Sequence, residues 1–134
     1  MRNEKKQQLQ QRRRWRVRRK VSGTADRPRM SVCFTNRNIH VQFIDDTRGV
    51  TLAAVSSVAK SAPGRQPCAA NVKGAQALGK RAAQAAVDKG IKQVVFDRGR
   101  ARYHWSKGKG KDAKPVHGKV AALAVAAREA GLKF

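Results

Sequence analysis

Acidic residues are what this chain has least of. Its 8 Asp and Glu stand against 31 Lys and Arg, a formal net charge of +23 over 134 residues. General acid–base pairs and carboxylate metal sites need acids to spare, so hydrolytic chemistry starts from a weak position. Cysteine is nearly absent, and Cys33 and Cys68 alone make no disulfide framework, which points to a reduced, cytosolic protein. No apolar run approaches the roughly 18 residues of a membrane-spanning helix. The basic start has no apolar run behind it, as a secretory signal would require. A folded chain this cationic repels itself and suits a polyanionic partner, with nucleic acid the first candidate and an anionic membrane surface the second.

The charge is unevenly spread. Residues 1–20 hold ten basic residues and one acid, residues 100–119 seven and one, so these forty residues carry +15 of the +23. Residues 1–21 have only Met1, Leu9, Trp15, Val17 and Val21 as apolar groups, too few to pack a core. Arg12, Arg13, Arg14, Arg16, Arg18, Arg19 and Lys20, interleaved with Trp15, read as part of a disordered basic arm over 1–21 that orders on its partner. Fully extended, twenty residues reach roughly 65 Å.

The folded body begins after Ser22-Gly23-Thr24 and Arg27-Pro28. Met30, Val32 and Phe34 alternate with Ser31, Cys33 and Thr35; past the turn Asn36-Arg37-Asn38, Ile39, Val41 and Phe43 alternate with His40 and Gln42. This predicts a hairpin with one buried face. Its polar face is either solvated surface or a docking surface, and periodicity does not decide. A third strand is predicted over 50–57. Asn71 can cap a helix whose stripe runs Val72, Ala75, Leu78, Ala82 and Ala85 or Ala86, and Gly90 stops it. Val120, Leu123, Ala124 and Ala127 repeat the pattern up to Gly131, with Leu132 placed for a Schellman contact.

Between the helices lies Gln93-Val-Val-Phe-Asp-Arg-Gly99. Its apolar run predicts a strand covered on both faces and central in the sheet. It delivers a basic loop to the sheet edge, where open α/β sheets place ligands. Some twenty residues between Asp97 and Val116 show no clear element, a length that in a compact domain is functional or disordered. Arg98, Arg100 and Arg102 can fork onto phosphates. Tyr103, His104 and Trp105 offer flat surfaces for unpaired bases. Lys107, Lys109 and Lys111, spaced by glycines, suit a flexible phosphate-following segment.

Enzymatic readings fare poorly. Gly108-Lys109-Gly110-Lys111 lacks P-loop spacing, and Asp112 stands where a Ser or Thr would hold magnesium. Cys33, Cys68, His104 and His117 include no tight zinc-ligand pair. Asp45, Asp46 and Asp97 follow strands, but Asp45 and Asp46 read as turn residues, and Asp97 as a partner for a neighbouring arginine or a loop cap. No metal or cofactor is expected.

Four segments in order, Arg27-Pro-Arg-Met-Ser-Val, Asn38-Ile-His-Val-Gln-Phe-Ile-Asp-Asp, Gly90-Ile-Lys-Gln-Val-Val-Phe-Asp-Arg-Gly and Ala126-Ala-Arg-Glu-Ala-Gly-Leu, resemble the bacterial large-subunit ribosomal protein family L-eighteen. The likeness spans roughly residues 12–104 and 117–134. It implies an α/β fold with a mixed β-sheet in β-β-β-α-β-α order, related to ribonuclease H but without catalysis, over a single domain at 22–134 behind the arm. It also implies a place in the cytoplasmic ribosome, in the central protuberance, with 5S rRNA, 23S rRNA and neighbouring large-subunit proteins as partners. Thr35, Asn36, Arg37, His40 and Gln42 are then expected near 5S rRNA. The family usually passes from the Tyr-His pair almost directly to the last helix, so residues 105–116 read as a basic insertion. The rival reading is a ribonuclease H-like enzyme acting on nucleic acid, disfavoured by the few carboxylates. A membrane-surface protein would need a helix with one cationic and one bulky apolar face, which is missing.

Overall fold

The computed structural model describes residues 2–58, 68–107 and 114–134. In chain order the elements are α1 (Asn3–Arg18), β1 (Arg29–Phe34), β2 (Ile39–Asp45), β3 (Val50–Ser56), α2 (Val72–Asp88), β4 (Val95–Asp97), β5 (His104–Lys107), β6 (Lys114–His117) and α3 (Lys119–Glu129). The β-β-β-α-β-α order is present, with a helix added in front and a two-stranded hairpin inserted before α3.

The main sheet runs β3-β2-β1-β4, with β1 antiparallel to β2, β2 antiparallel to β3, and β4 parallel to β1. Alternation along the strands sends Met30, Val32, Ile39, Val41, Phe43 and Val55 into the core. There they meet Ala75, Leu78, Ala82, Ala83 and Ala86 of α2 and Leu123 and Ala127 of α3. Alanine dominates both helices, so they pack close to each other and to one face of the sheet. The Asn71 side chain accepts from the Gly74 N–H at 2.7 Å, capping α2 as its sequence predicts. Both helices end in Schellman turns. Ile91 N–H reaches Ala86 O and Gly90 N–H reaches Val87 O; Leu132 N–H reaches Ala127 O and Gly131 N–H reaches Arg128 O.

Three expectations need correcting. The N-terminal arm is not irregular: Asn3–Arg18 is α-helical, although none of its residues is buried. The segment has no Gly or Pro, and all but Asn3, Trp15 and Val17 of its residues are Gln, Arg, Lys, Glu or Leu, good helix formers. Glu4 in the first turn and Arg16 and Arg18 in the last also suit the helix dipole. The absence of an apolar stripe correctly excluded core packing, but not the helix itself.

The strand expected at the sheet's centre is instead its edge. β4 is three residues long and pairs with β1 on one side only. Its other flank is met by the C-terminal tail, where Val94 N–H donates to Lys133 O at 3.0 Å and Lys133 N–H to Lys92 O at 3.1 Å. Val94 is buried in the same cluster as Leu132. The apolar run therefore reflects cover by the tail and α3, not by two neighbouring strands. Finally, part of the segment without predicted structure forms the β5–β6 hairpin, in register from His104↔His117 to Lys107↔Lys114. Lys109 and Lys111 lie outside the described residues.

Candidate nucleic-acid interface

With α2 and α3 on one face of the sheet, the side chains alternating the other way form an open face. Cys33, Gln42 and Ala54 there are exposed, and Ser31, His40 and Ser56 half-buried. His40 and Ser56 are register partners on β2 and β3, and His40 Nδ1 lies 3.0 Å from Ser56 Oγ. When the serine hydroxyl donates, Nε2 keeps its proton and becomes an outward donor. With Gln42, Ala54 and Val58 these residues line a shallow depression of about 190 Å³. These residues offer short neutral hydrogen-bonding groups, and the carboxylate beside them on β4, Asp97, the register partner of Ser31, is bonded to Arg29.

At one end of this face the β1–β2 turn is held by Thr35. Its N–H and its hydroxyl both donate to Asn38 O at 2.9 Å, and Oγ1 accepts from Asn38 N–H. Thr35, Asn36 and Arg37 are exposed. Since β4 runs parallel to β1, the loop after Asp97 leaves the sheet at the same end. Gly99, at φ +58°, turns it there, and the Gly99 N–H donates to Asp97 Oδ1 at 2.9 Å. Arg98 folds back to donate to Ala101 O at 2.6 Å, while Arg98, Arg100 and Arg102 are all exposed.

Tyr103, expected as a surface for an unpaired base, also makes contacts within the protein. Its ring meets Phe96 edge-on at 6.4 Å, and its hydroxyl accepts from Arg128 Nη1 at 3.2 Å. Phe134 stacks on Phe96 at 5.0 Å and lies beneath the Arg128 guanidinium, 4.4 Å away. Tyr103 therefore belongs to an aromatic cluster that closes the C-terminal end of the chain. The backbones of His104 and Lys107 lie in β5.

Beside the open face lies a group that its sequence context does not announce. Arg29, the first residue of β1, is 1% exposed. Its guanidinium is forked onto Asp46, with Nε to Oδ2 and Nη2 to Oδ1 both at 2.8 Å, and Nη1 reaches Asp97 Oδ2 at 3.0 Å. A charge so deeply buried persists only with opposite charge and hydrogen bonds around it, and this one has both. Asp46 also accepts from Gly23 N–H at 2.8 Å, and Gly23 O accepts from Asp46 N–H at 3.0 Å. A Cβ at Gly23 would stand 2.2 Å from Arg29 N and 2.5 Å from Ile44 O, so only glycine lets the linker approach this closely. On the outer side, Arg18 Nε of α1 lies 3.9 Å from Asp97 Oδ2.

One buried arginine thus joins the linker, β1, the turn after β2 and the end of β4, and α1 leans on the same carboxylate. A hint was present in the sequence: in a chain with eight acids, Asp46 and Asp97 both stand at strand ends beside positively charged segments. Asp97 does pair with an arginine and cap its loop, as expected, but its partner is 68 positions away. Asp45 is a turn residue, its Oδ1 accepting from Thr47 N–H at 2.9 Å.

The Arg29 fork holds the Asp46 carboxyl down, from 3.8 to about 2. The folded state therefore gains stability from ionised Asp46 above pH 4 and loses it as pH falls from about 4 towards 2. The contribution at stake is about 2 kcal/mol. Denaturant titrations at pH 5 and pH 2 should show this loss, and Asp46→Asn should flatten that part of the profile.

A sequence profile of the family described as ribosomal L18 of archaea, bacteria, mitochondria and chloroplasts matches residues 4–109. The "Large ribosomal subunit protein uL18" of Lactobacillus delbrueckii subsp. bulgaricus is 49% identical over 129 residues, covering 96% of this chain and 95% of its own. The protein of the same name from Microcystis aeruginosa is 48% identical over 123 residues, 92% of each chain. That of Pelotomaculum thermopropionicum is 44% identical over 126 residues, 94% of this chain and 93% of its own. At such identity over nearly full length, with the profile match spanning the arm, the sheet and the loop after β4, this chain belongs to the L18 family of ribosomal proteins.

Proposed function

We propose that this protein is a structural constituent of the large ribosomal subunit in the cytoplasm, where it binds 5S rRNA and helps join it to 23S rRNA in the central protuberance. Family membership supports the first part. The observation that carries the second is the approach of the β1–β2 turn and the Arg98–Arg102 loop to one end of the sheet's open face, with Arg18 of α1 beside Asp97. That arrangement sets exposed positive charge beside a surface of neutral donors and acceptors, as an RNA of irregular shape requires. Arginine and lysine hold the phosphates, while Thr35, Asn36, His40 and Gln42 reach riboses and base edges. The Lys-rich insertion at 105–116 would extend this grip.

The sheet order β3-β2-β1-β4, with β4 parallel to β1, supports a ribonuclease H-like topology. A catalytic role is disfavoured by what its carboxylates do: Asp46 and Asp97 are bonded to Arg29, and Asp45 caps its own turn. The protein should sediment with large subunits and be released with 5S rRNA when that RNA is stripped. Retention on subunits lacking 5S rRNA would contradict the proposed role.

The open face gives a sharper test. Replacing His40 and Gln42 together by Ala removes exposed polar groups and one half-exposed hydrogen bond, leaving the core intact. Affinity for 5S rRNA should fall roughly tenfold or more, since each lost contact contributes about 1 kcal/mol, with Tm almost unaltered. A large fall in Tm with unaltered affinity would make the face structural instead.

A further inference from the structure

Trp15 is the most exposed large apolar side chain among the described residues, at 60%. It makes no ring contact and no cation–π contact there. A lone exposed apolar side chain is ordinary by itself, but the helix around this one narrows what its ring can meet. At about 100° per residue, Trp15 stands about 120° from Leu9 and about 160° from Val17, the other apolar side chains of α1. The three share no stripe. A membrane surface or an apolar protein groove would engage a stripe, not one isolated ring.

The neighbours of Trp15 one turn away on either side are Gln11, Arg12, Arg18 and Arg19. A single flat apolar face bordered by three guanidinium groups and an amide has the chemistry of a base platform. The ring takes the face of the base, the arginines hold the phosphates flanking it, and the amide can reach a base edge. Placement supports this as well. Trp15 lies in the last turns of α1, where its carbonyl accepts from Arg19 N–H at 3.0 Å. One turn further on, Arg18 leans on Asp97, the same carboxylate that holds buried Arg29. The ring is therefore carried at the end of the helix that meets the body, one turn from the Arg18–Asp97 contact.

We propose that Trp15 stacks on an unpaired nucleobase of the bound RNA, a reading that rests on α1 being an RNA-binding element. Stacking would add shape selectivity to a helix that charge alone would leave indifferent to RNA structure. A bulged or looped-out base becomes a preferred landing point, and a continuous duplex does not.

The test labels the whole protein with 5-fluorotryptophan and follows its two tryptophans by ¹⁹F NMR, with the Trp15 signal assigned by its loss in Trp15→Phe. On adding 5S rRNA the Trp15 resonance should shift, as a ring placed against a base must. Trp15→Phe should bind 5S rRNA within a few-fold of the parent, whereas Trp15→Leu should bind roughly tenfold or more weakly. Leucine is at least as good a helix former as tryptophan, so α1 survives the change, which circular dichroism will verify. Because no phosphate contact is removed, the Trp15→Leu deficit should be the same at low and high salt.

An unmoved Trp15 resonance at saturating 5S rRNA, with Trp15→Leu binding as the parent does, would overturn the stacking role while leaving 5S rRNA binding in place. A deficit that shrinks as salt rises would overturn it too, by showing a purely electrostatic effect. A deficit confined to assembled subunits would instead assign the ring to another partner. Absence of any binding to 5S rRNA would overturn the functional reading and this proposal with it.

Discussion

Replacing Arg29 by Ala should cost about 3–5 kcal/mol and lower Tm by roughly 10–20 °C. The substitution removes more than a side chain. It leaves Asp97, whose side chain is 9% exposed, without its buried cation, and Asp46, 25% exposed, without its fork. Two carboxylates would then have to regain water or protons, and the linker at Gly23 and the turn at Asp46 would lose their common anchor. Arg29→Lys keeps the charge but not the fork and should lie between the parent and Arg29→Ala. Asp97→Asn should be milder than Arg29→Ala, because Asp46 still neutralises the guanidinium. Thermal and denaturant melts measure the whole series. If Arg29→Ala falls within about 1 kcal/mol of the parent, the cluster does not hold these segments together.

Deleting residues 1–20 should have the largest effect on binding. Of the seven basic residues from Arg12 to Lys20, five lie on α1 and Arg19 and Lys20 follow it; all are exposed, and apart from Arg18 beside Asp97 they present their charge to phosphates. Each contact made contributes about −0.7 to −0.9 to the slope of log K against log salt. The deletion should flatten that slope by several units and weaken 5S rRNA binding by roughly a hundredfold or more at low salt, a deficit that shrinks as salt rises. Tm should change little, since α1 meets the body through Arg18 near Asp97 and has no core residue. Should the slope stay as it was, α1 binds elsewhere, with 23S rRNA the natural candidate.

The parts of this fold legible in the sequence are those fixed by short-range pattern. Alternation at Met30–Phe34 and Ile39–Phe43, the Asn71 cap, and the glycine stops at Gly90 and Gly131 all act within a few residues and all appear where expected. What escaped depends on distance in the chain. Nothing near Arg29 announces that its partners are 17 and 68 positions away. Nothing in Val94-Val95-Phe96 says that its cover comes from Leu132 and the C-terminal tail, so burial was mistaken for a central position. α1 escaped for another reason: local propensity favours a helix there, but a charged segment without an apolar face gave no sign of being ordered.

For the interface, the residue types were legible and their assembly was not. Thr35–Arg37 and Arg98–Arg102 are some sixty residues apart in sequence. They come to one end of the sheet only because β4 runs parallel to β1. Tyr103 has contacts its sequence context does not announce, with Phe96 edge-on and with Arg128 at its hydroxyl.

The most direct measurement is equilibrium binding of the intact protein to 5S rRNA and to an unrelated RNA of equal length, at several salt concentrations. If the open face and α1 form a 5S rRNA site, both RNAs should show steep salt slopes, but 5S rRNA should bind at least a hundredfold more tightly at physiological salt. Equal affinity for the two RNAs at every salt concentration would show charge alone at work and would contradict a 5S rRNA site on this sheet.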